Sequence, residues 1–204
     1  DMERGENPFK GTASGRIEFY SEFLAKGSDY LAANEYSPGS GKCYGPGNLP
    51  PMAQMTMGGR DTFYSNDAEK YPLLMLSPHP LHRVHSFLDN NPWLKDDCYK
   101  HAIWINVADA KARGIRDDDL VKVYNDIGEM ILPAYVTSKV IPGAVCIFHD
   151  AWYKPSNEKS QLMPDGIDTG GAPNLLIHNE DLPQTIVGTF NCKALVQVEK
   201  REGA

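Results

Sequence analysis

A short apolar run, Tyr71-Pro-Leu-Leu-Met-Leu76, ends abruptly at Ser77-Pro-His-Pro80. The two closely spaced prolines remove backbone donors and forbid helical geometry, so the run reads as a buried strand that must stop there. The segment that follows, Leu81 to Trp93, carries histidine, arginine, serine and amide side chains in the order LHRVHSFLDNNPW. These polar groups therefore stand on a loop at a strand's end, the place where sheets and barrels hold ligands.

The second half of the chain repeats the pattern of short strands between turn signals. Asn106 is placed as an N-cap for a helix over Val107 to Arg113, with Gly114 as its stop. Asp119 to Tyr124 and Glu129 to Val136 flank Asn125-Asp-Ile-Gly128, a connection with the residues of a β-hairpin turn. Pro133 assigns the second of these strands to an edge or a bulge. Another strand follows Ile141-Pro-Gly143 and runs through Phe148, and a last one spans Ala194 to Val198. One small helix among several strands predicts a mainly β fold with short helices, a barrel rather than a doubly wound sheet.

Upstream, Asp1 to Gly15 is polar and glycine-rich and reads as a linker from preceding domains, which makes the chain the C-terminal domain of something larger. Arg16 to Tyr20 alternates like a strand, Glu22 to Leu31 fits a short helix, and Asn34 to Asp61 is one long loop rich in Gly, Pro, Ser and Met. The opening Asp1-Met-Glu-Arg4 lacks the charged and apolar regions of a signal peptide.

A net charge of −7 with no basic run excludes sequence-general nucleic-acid binding, which needs a positive footprint. No stretch approaches the roughly 18 unbroken apolar residues of a membrane span, so direct insertion is not expected. Cys43, Cys98, Cys146 and Cys192 stand singly, without the paired spacing of a zinc or iron–sulfur site. Cys146 lies in an apolar run and is expected to be buried, and Cys43 exposed; a disulfide between some pair stays open.

His79, His82 and His85 recur every third residue and invite a metal reading. His79 stands between two prolines, however, and three imidazoles cannot share a helix face there. Exposed loop residues are a second reading. Donors to a polar or anionic ligand, together with Arg83, Ser86, Asn90 and Asn91, fit the residue types best. Neither a phosphate loop nor a nucleophile elbow is present: Gly39-Ser-Gly-Lys42 lacks the flanking residues of the first, and Ser86 the glycines of the second. Thr169-Gly-Gly171, Asn174 and Phe190-Asn191 read as turns when taken alone, and Trp93, Trp104 and Trp152 as core or rim packing.

Ordered along the chain, Ser77-Pro-His-Pro80, Arg83-Val-His-Ser86, Asn90-Asn-Pro-Trp93, Trp104-Ile-Asn106, Asp109-Ala110, Arg113-Gly-Ile115, Asn125-Asp126, Ala151-Trp-Tyr153 and Gly170-Gly171 with Asn174 resemble one family. They look like the C-terminal molybdopterin-dinucleotide-binding domain of the dimethyl sulfoxide reductase family, nearest to the anaerobic dimethyl sulfoxide reductase catalytic subunit. The resemblance covers about Gly15 to Glu199. It implies a double-psi β-barrel of the aspartate-decarboxylase-like kind over residues 16–204, with 34–61 a long loop and 1–15 the linker. It also implies a cofactor, bis-molybdopterin guanine dinucleotide, whose dithiolenes hold molybdenum. The metal's protein ligand would lie in an earlier domain, so neither a catalytic residue nor a metal ligand is expected here.

Carried over by position, His79 and His85-Ser86-Phe87 would contact the pterin and its phosphates, Arg83 would balance pyrophosphate charge, and Asn174 and Asn191 would make further cofactor contacts. Leu81, His82 and Asp118 depart from the family pattern, Asp118 standing where glycine is common. A carboxylate residue must then tolerate a turn conformation there. The whole enzyme would reduce dimethyl sulfoxide or related S- and N-oxides in anaerobic respiration. Its partners would be its own upstream domains, an iron–sulfur electron-transfer subunit and a membrane anchor subunit, on the periplasmic or cell-envelope side. The alternatives are the same domain in an enzyme for formate, nitrate or another anion, a metal-dependent hydrolase built on the three histidines, and a docking module without ligand.

Overall fold

Six strands, β1 (Leu73–Leu76), β2 (Ile103–Asn106), β3 (Leu120–Tyr124), β4 (Glu129–Thr137), β5 (Ala144–Cys146) and β6 (Lys193–Lys200), close on one another in the order β1-β5-β2-β4-β3-β6. Closure leaves no strand edge unpaired. In this computed structural model the described residues are 5–12, 14–20, 52, 65–81, 83–94, 101–178 and 193–201. The chain divides into two compact units, Asp1–Thr56 with Pro183–Gly188, and Met57–Leu182 with Thr189–Ala204.

The barrel lies in the second unit. Strands β1 and β5 run parallel, as do β2 and β4, and the other neighbours are antiparallel. This mixed, closed arrangement is the double-psi β-barrel. Alternate residues of β1, β2 and β3 point inward, so Leu73, Met75, Ile103, Ile105, Val121 and Val123 are almost wholly buried and meet Met130, Leu132, Val145 and Val196 in one core. Pro133 sits where β4 changes partner, pairing with β3 up to Pro133 and with β2 from Ala134. The expected edge does not exist in a closed barrel. The proline's missing donor falls instead at the junction of two ladders.

Helix α1 (Val107–Ala112) begins where expected, with the Asn106 side chain accepting from Ala108 N, and Gly114 following its end at φ 65°. Asn106 also donates to Val140 O at 2.6 Å, and Asp109 accepts from Gly143 N at 2.8 Å. The helix start is thereby tied to the approach of β5. The β3–β4 hairpin forms as predicted around Asn125, which is buried, accepts from Ile127 N and Gly128 N, and donates to Leu176 O at 2.7 Å. Asp118 adopts the left-handed conformation its position demands, at φ 67°.

In the first unit, the strand expected over Arg16–Tyr20 is replaced by a turn and a single antiparallel bridge of Tyr20 with Met52. The reason is local: Asn7 Nδ2 donates to Gly15 O and Thr12 Oγ1 to Arg16 O, so side chains take carbonyls that a strand partner would need. The helix expected over Glu22–Leu31 and the loop over Asn34–Asp61, Met52 aside, lie outside the described residues. Among the described residues no helix is long and apolar enough to cross a membrane.

Candidate functional site

Because β1 and β5 are parallel, with Leu76 opposite Cys146, the segments leaving their ends depart side by side. The pairing continues past the strands through Ile147 N to Leu76 O (3.0 Å) and His149 N to Pro78 O (3.1 Å). His79 follows β1 at the same distance as His149 follows β5, and their rings meet edge to face with centroids 3.8 Å apart. Two imidazoles far apart in sequence thus become neighbours at one end of the barrel.

His85 and Asp150 complete the group. The His85 ring lies 5.3 Å from that of His79, and its Nδ1 donates to Asp150 Oδ2 at 3.1 Å; His149 Nδ1 donates to the same oxygen. His79, His85, His149 and Asp150 each present a nitrogen or oxygen within 4.8 Å of the others. Both His85 (φ 53°) and Asp150 (φ 67°) sit in the left-handed region that non-glycine residues avoid. Such a conformation persists only where surrounding contacts over-determine it. Burial pushes the Asp150 carboxyl up, but the hydrogen bonds and charge of His149 and His85 outweigh it, so the group is held below its ordinary value.

Those surrounding contacts converge on Arg83. Its side chain is buried in an ion pair with Asp89, and its guanidinium donates to His149 O at 3.0 Å and toward Asp150 O at 3.4 Å. The other Asp89 oxygen accepts from Trp152 N at 3.0 Å, and Trp152 Nε1 donates to Ser86 O at 3.1 Å. The 83–89 and 149–152 segments are stapled together by a charged pair in which both Asp89 oxygens accept a donor, which offsets the cost of burying the carboxylate. Arg83 was expected to balance a ligand's pyrophosphate charge. In the structure its guanidinium is buried against Asp89 and the carbonyls of His149 and Asp150.

A second brace comes from the late loop. Asp168 is fully buried and accepts from four backbone donors, Lys154 N, Gly170 N, Gly171 N and Ala172 N. A Cβ on Gly170 would stand 1.9 Å from Trp152 O, so only glycine lets this loop approach the 152–154 segment.

Of the residues expected to contact a ligand, His79 and His85 are brought together, and both are exposed. Ser86 and Phe87 lie on the same loop, also exposed. Asn174 is exposed on a separate single-turn 3-10 helix, Pro173–Leu176. Asn191, and His82 of the proposed histidine triplet, lie outside the described residues. Sequence reasoning missed His149, Asp150, Asp89 and Asp168. His149 carried the same signal as His79, a histidine just past an apolar strand, but nothing local shows which strand is its neighbour. Near the cluster, Ser77 Oγ is buried without a hydrogen-bond partner, and Ser77 lines an apolar groove of about 640 Å³ with Trp104, Ile141 and Phe148. Imidazole nitrogens and an orphaned hydroxyl suit a ligand with polar edges and anionic groups.

The sequence is similar to a probable dimethyl sulfoxide reductase chain of Escherichia coli strain K12, 36% identical over 95% of this chain and 22% of that one. It is also similar to the pyrogallol hydroxytransferase large subunit of Pelobacter acidigallici, 33% identical over 94% of this chain and 21% of that subunit. The chain thus spans about a fifth of the length of these relatives. Acetylene hydratase from Pelobacter acetylenicus shares the fold, with a TM-score of 0.62 at 18% identity over 93% of this chain and 24% of the hydratase. The Molydopterin dinucleotide binding domain family matches residues 73–193, from the start of β1 through the loop of His79 and His85 to the start of β6. That span holds the whole histidine cluster and both of its braces, and the chain belongs to this family of molybdopterin-dinucleotide-binding domains.

Proposed function

We propose that the chain is the cofactor-binding C-terminal portion of a molybdenum oxidoreductase, and that the end of its barrel where β1 and β5 finish forms one wall of the cleft for bis-molybdopterin guanine dinucleotide. The observation that carries this reading is the gathering of His79, His85 and His149 at two parallel strand ends, inside the span that matches the family. The cofactor, when bound, supplies the dithiolene-held molybdenum at which two-electron chemistry occurs. The chain's own part is binding and orientation. His79 and His85 offer ring nitrogens to the pterin's polar edge and phosphates, Ser86 and Phe87 line the same loop, and Asn174 and Asn191 belong to the further contacts. Arg83 and Asp89 keep the His149 side of the wall in place.

The whole enzyme, in this reading, reduces dimethyl sulfoxide or a related S- or N-oxide in anaerobic respiration, with an iron–sulfur subunit and a membrane anchor as partners on the cell-envelope side. The similarity to a dimethyl sulfoxide reductase chain supports it. A relative named for pyrogallol chemistry matches almost as well, so substrate choice is assigned to domains outside these residues. The exposed apolar side chains of Leu81, Phe87 and Trp93 favour packing of this loop against those domains.

The test is His85→Ala. His85 is two-thirds exposed on a loop, so the isolated domain should keep its melting temperature within a few degrees. Loss of one donor to a polar ligand costs roughly 1 to 3 kcal/mol, so the full-length variant should purify folded yet depleted in molybdenum and guanine nucleotide. Full cofactor content together with an unfolded isolated domain would sink the assignment.

A further inference from the structure

We propose that His79, His85, His149 and Asp150 form a divalent-cation site of the zinc class in the chain that lacks its dinucleotide. The inference goes beyond the cofactor reading, because it rests on the geometry of these four side chains alone and concerns the state in which no cofactor fills the cleft.

Four-coordinate zinc with bonds of 2.0 to 2.1 Å places its ligand atoms about 3.4 Å apart, the edge of the tetrahedron. The His85 Nδ1 to Asp150 Oδ2 separation is already 3.1 Å, and all four donor atoms lie within 4.8 Å of one another. The remaining separations are left to side-chain rotation. His79 and His85 are exposed and can turn, whereas the backbone carbonyls of His149 and Asp150 are gripped by buried Arg83. One half of the site is therefore fixed and the other adjustable.

The donor set decides the class of ion. Three imidazoles and one carboxylate suit a first-row divalent metal, zinc foremost, and not calcium or magnesium, which take oxygen ligands. Zinc displaces the Nδ1 protons that His85 and His149 direct at Asp150, so that each ring binds through a lone pair as a neutral imidazole with its N–H on the other nitrogen; zinc then bears a single negative ligand and the site a net charge of about +1. Asp150, at the centre of the group, meets two imidazole edges. A cation there satisfies the carboxylate and all three rings at once. The left-handed backbone at both His85 and Asp150 is a separate sign that the loops are built to aim these side chains at one point. Because His79 and His85 are also assigned to the dinucleotide, metal and cofactor compete.

The test is calorimetric titration of zinc chloride into the chelator-stripped chain. The expected result is one zinc per chain, with affinity reduced at least tenfold in His149→Ala and in Asp150→Asn. Asp126→Asn, which alters the separate His178–Asp126 pair, should leave affinity unchanged. Cobalt(II) in place of zinc should give the strong visible absorption of a tetrahedral site. Absence of stoichiometric binding, or undiminished binding in His149→Ala, overturns the proposal. Should His149→Ala fail to fold, His85→Ala on the exposed loop takes its place, and undiminished binding there overturns it equally. Cofactor content of the full-length enzyme is read separately: an enzyme that carries molybdopterin while its apo domain ignores zinc refutes the metal site and leaves the cofactor reading standing. Zinc binding with a cofactor-free enzyme does the reverse.

Discussion

Replacing Asp168 with Asn should unsettle this domain more than any change at the histidine cluster. The carboxylate is fully buried, and its two oxygens each accept two backbone donors: Lys154 N and Gly170 N at 2.8 Å on Oδ1, and Gly171 N at 2.9 Å and Ala172 N at 2.7 Å on Oδ2. Asparagine keeps one oxygen and turns the other into an amide that faces two N–H groups. Two charge-assisted hydrogen bonds become donor–donor contacts, each bond being worth about 1.5 to 3 kcal/mol before the loop relaxes. Allowing for that relaxation, the expected loss is about 3 to 5 kcal/mol. For a chain of this size it lowers the melting temperature by about 6 to 20 °C. The Asp168 carbonyl also accepts from Ile131 N in β4 at 2.8 Å, so the effect should reach the barrel as one cooperative shift rather than as local fraying. Circular dichroism melts and urea unfolding of wild type, Asp168→Asn and Asp168→Ala check it. A melting temperature within about 2 °C of wild type, under about 1 kcal/mol, would refute the view that this carboxylate organises the late loop.

Two further outcomes follow from the same structure. The Asp150 carboxyl is held below its ordinary value by His149 and His85 against the pull of burial, so it stabilises the fold above the carboxylate range and ceases to do so as pH falls through its lowered value. Asp150→Asn should therefore be less stable than wild type at neutral pH, and the gap in urea midpoint should close as pH falls below the ordinary carboxylate range; a gap that widens in acid contradicts the assignment. Cys146, buried in β5, has its thiol pushed up to about 11 by burial, so it should resist iodoacetamide in the native protein and react only when the barrel opens. Peptide mapping that finds Cys146 labelled as fast in native as in denatured protein would contradict this.

Residue order alone was enough to place β1, α1, the β3–β4 hairpin, β5 and β6. Asn106 as a cap, Gly114 as a stop, Asn125 to Gly128 as a hairpin turn and the paired prolines around His79 act over a few residues, through hydrogen bonds and dihedral limits that each residue carries with it. β1 was legible as a buried strand and β3 as one arm of a hairpin, and His79 and His85 as loop residues at a strand's end, whereas the sequence reading held no strand at β2. At Arg16–Tyr20 the alternation misled, because Asn7 and Thr12 side chains compete for the carbonyls. Which strand lies beside which was a matter for the tertiary structure. The parallel pairing of β1 with β5 brings His149 and Asp150 to His79 and His85, and the buried charge of Arg83 becomes tolerable only once Asp89 and the His149 carbonyl are beside it. Asp168, an unremarked aspartate in the sequence, is part local and part tertiary: Gly170, Gly171 and Ala172 N–H come from its own loop, and only the Lys154 N–H is brought to it by the fold.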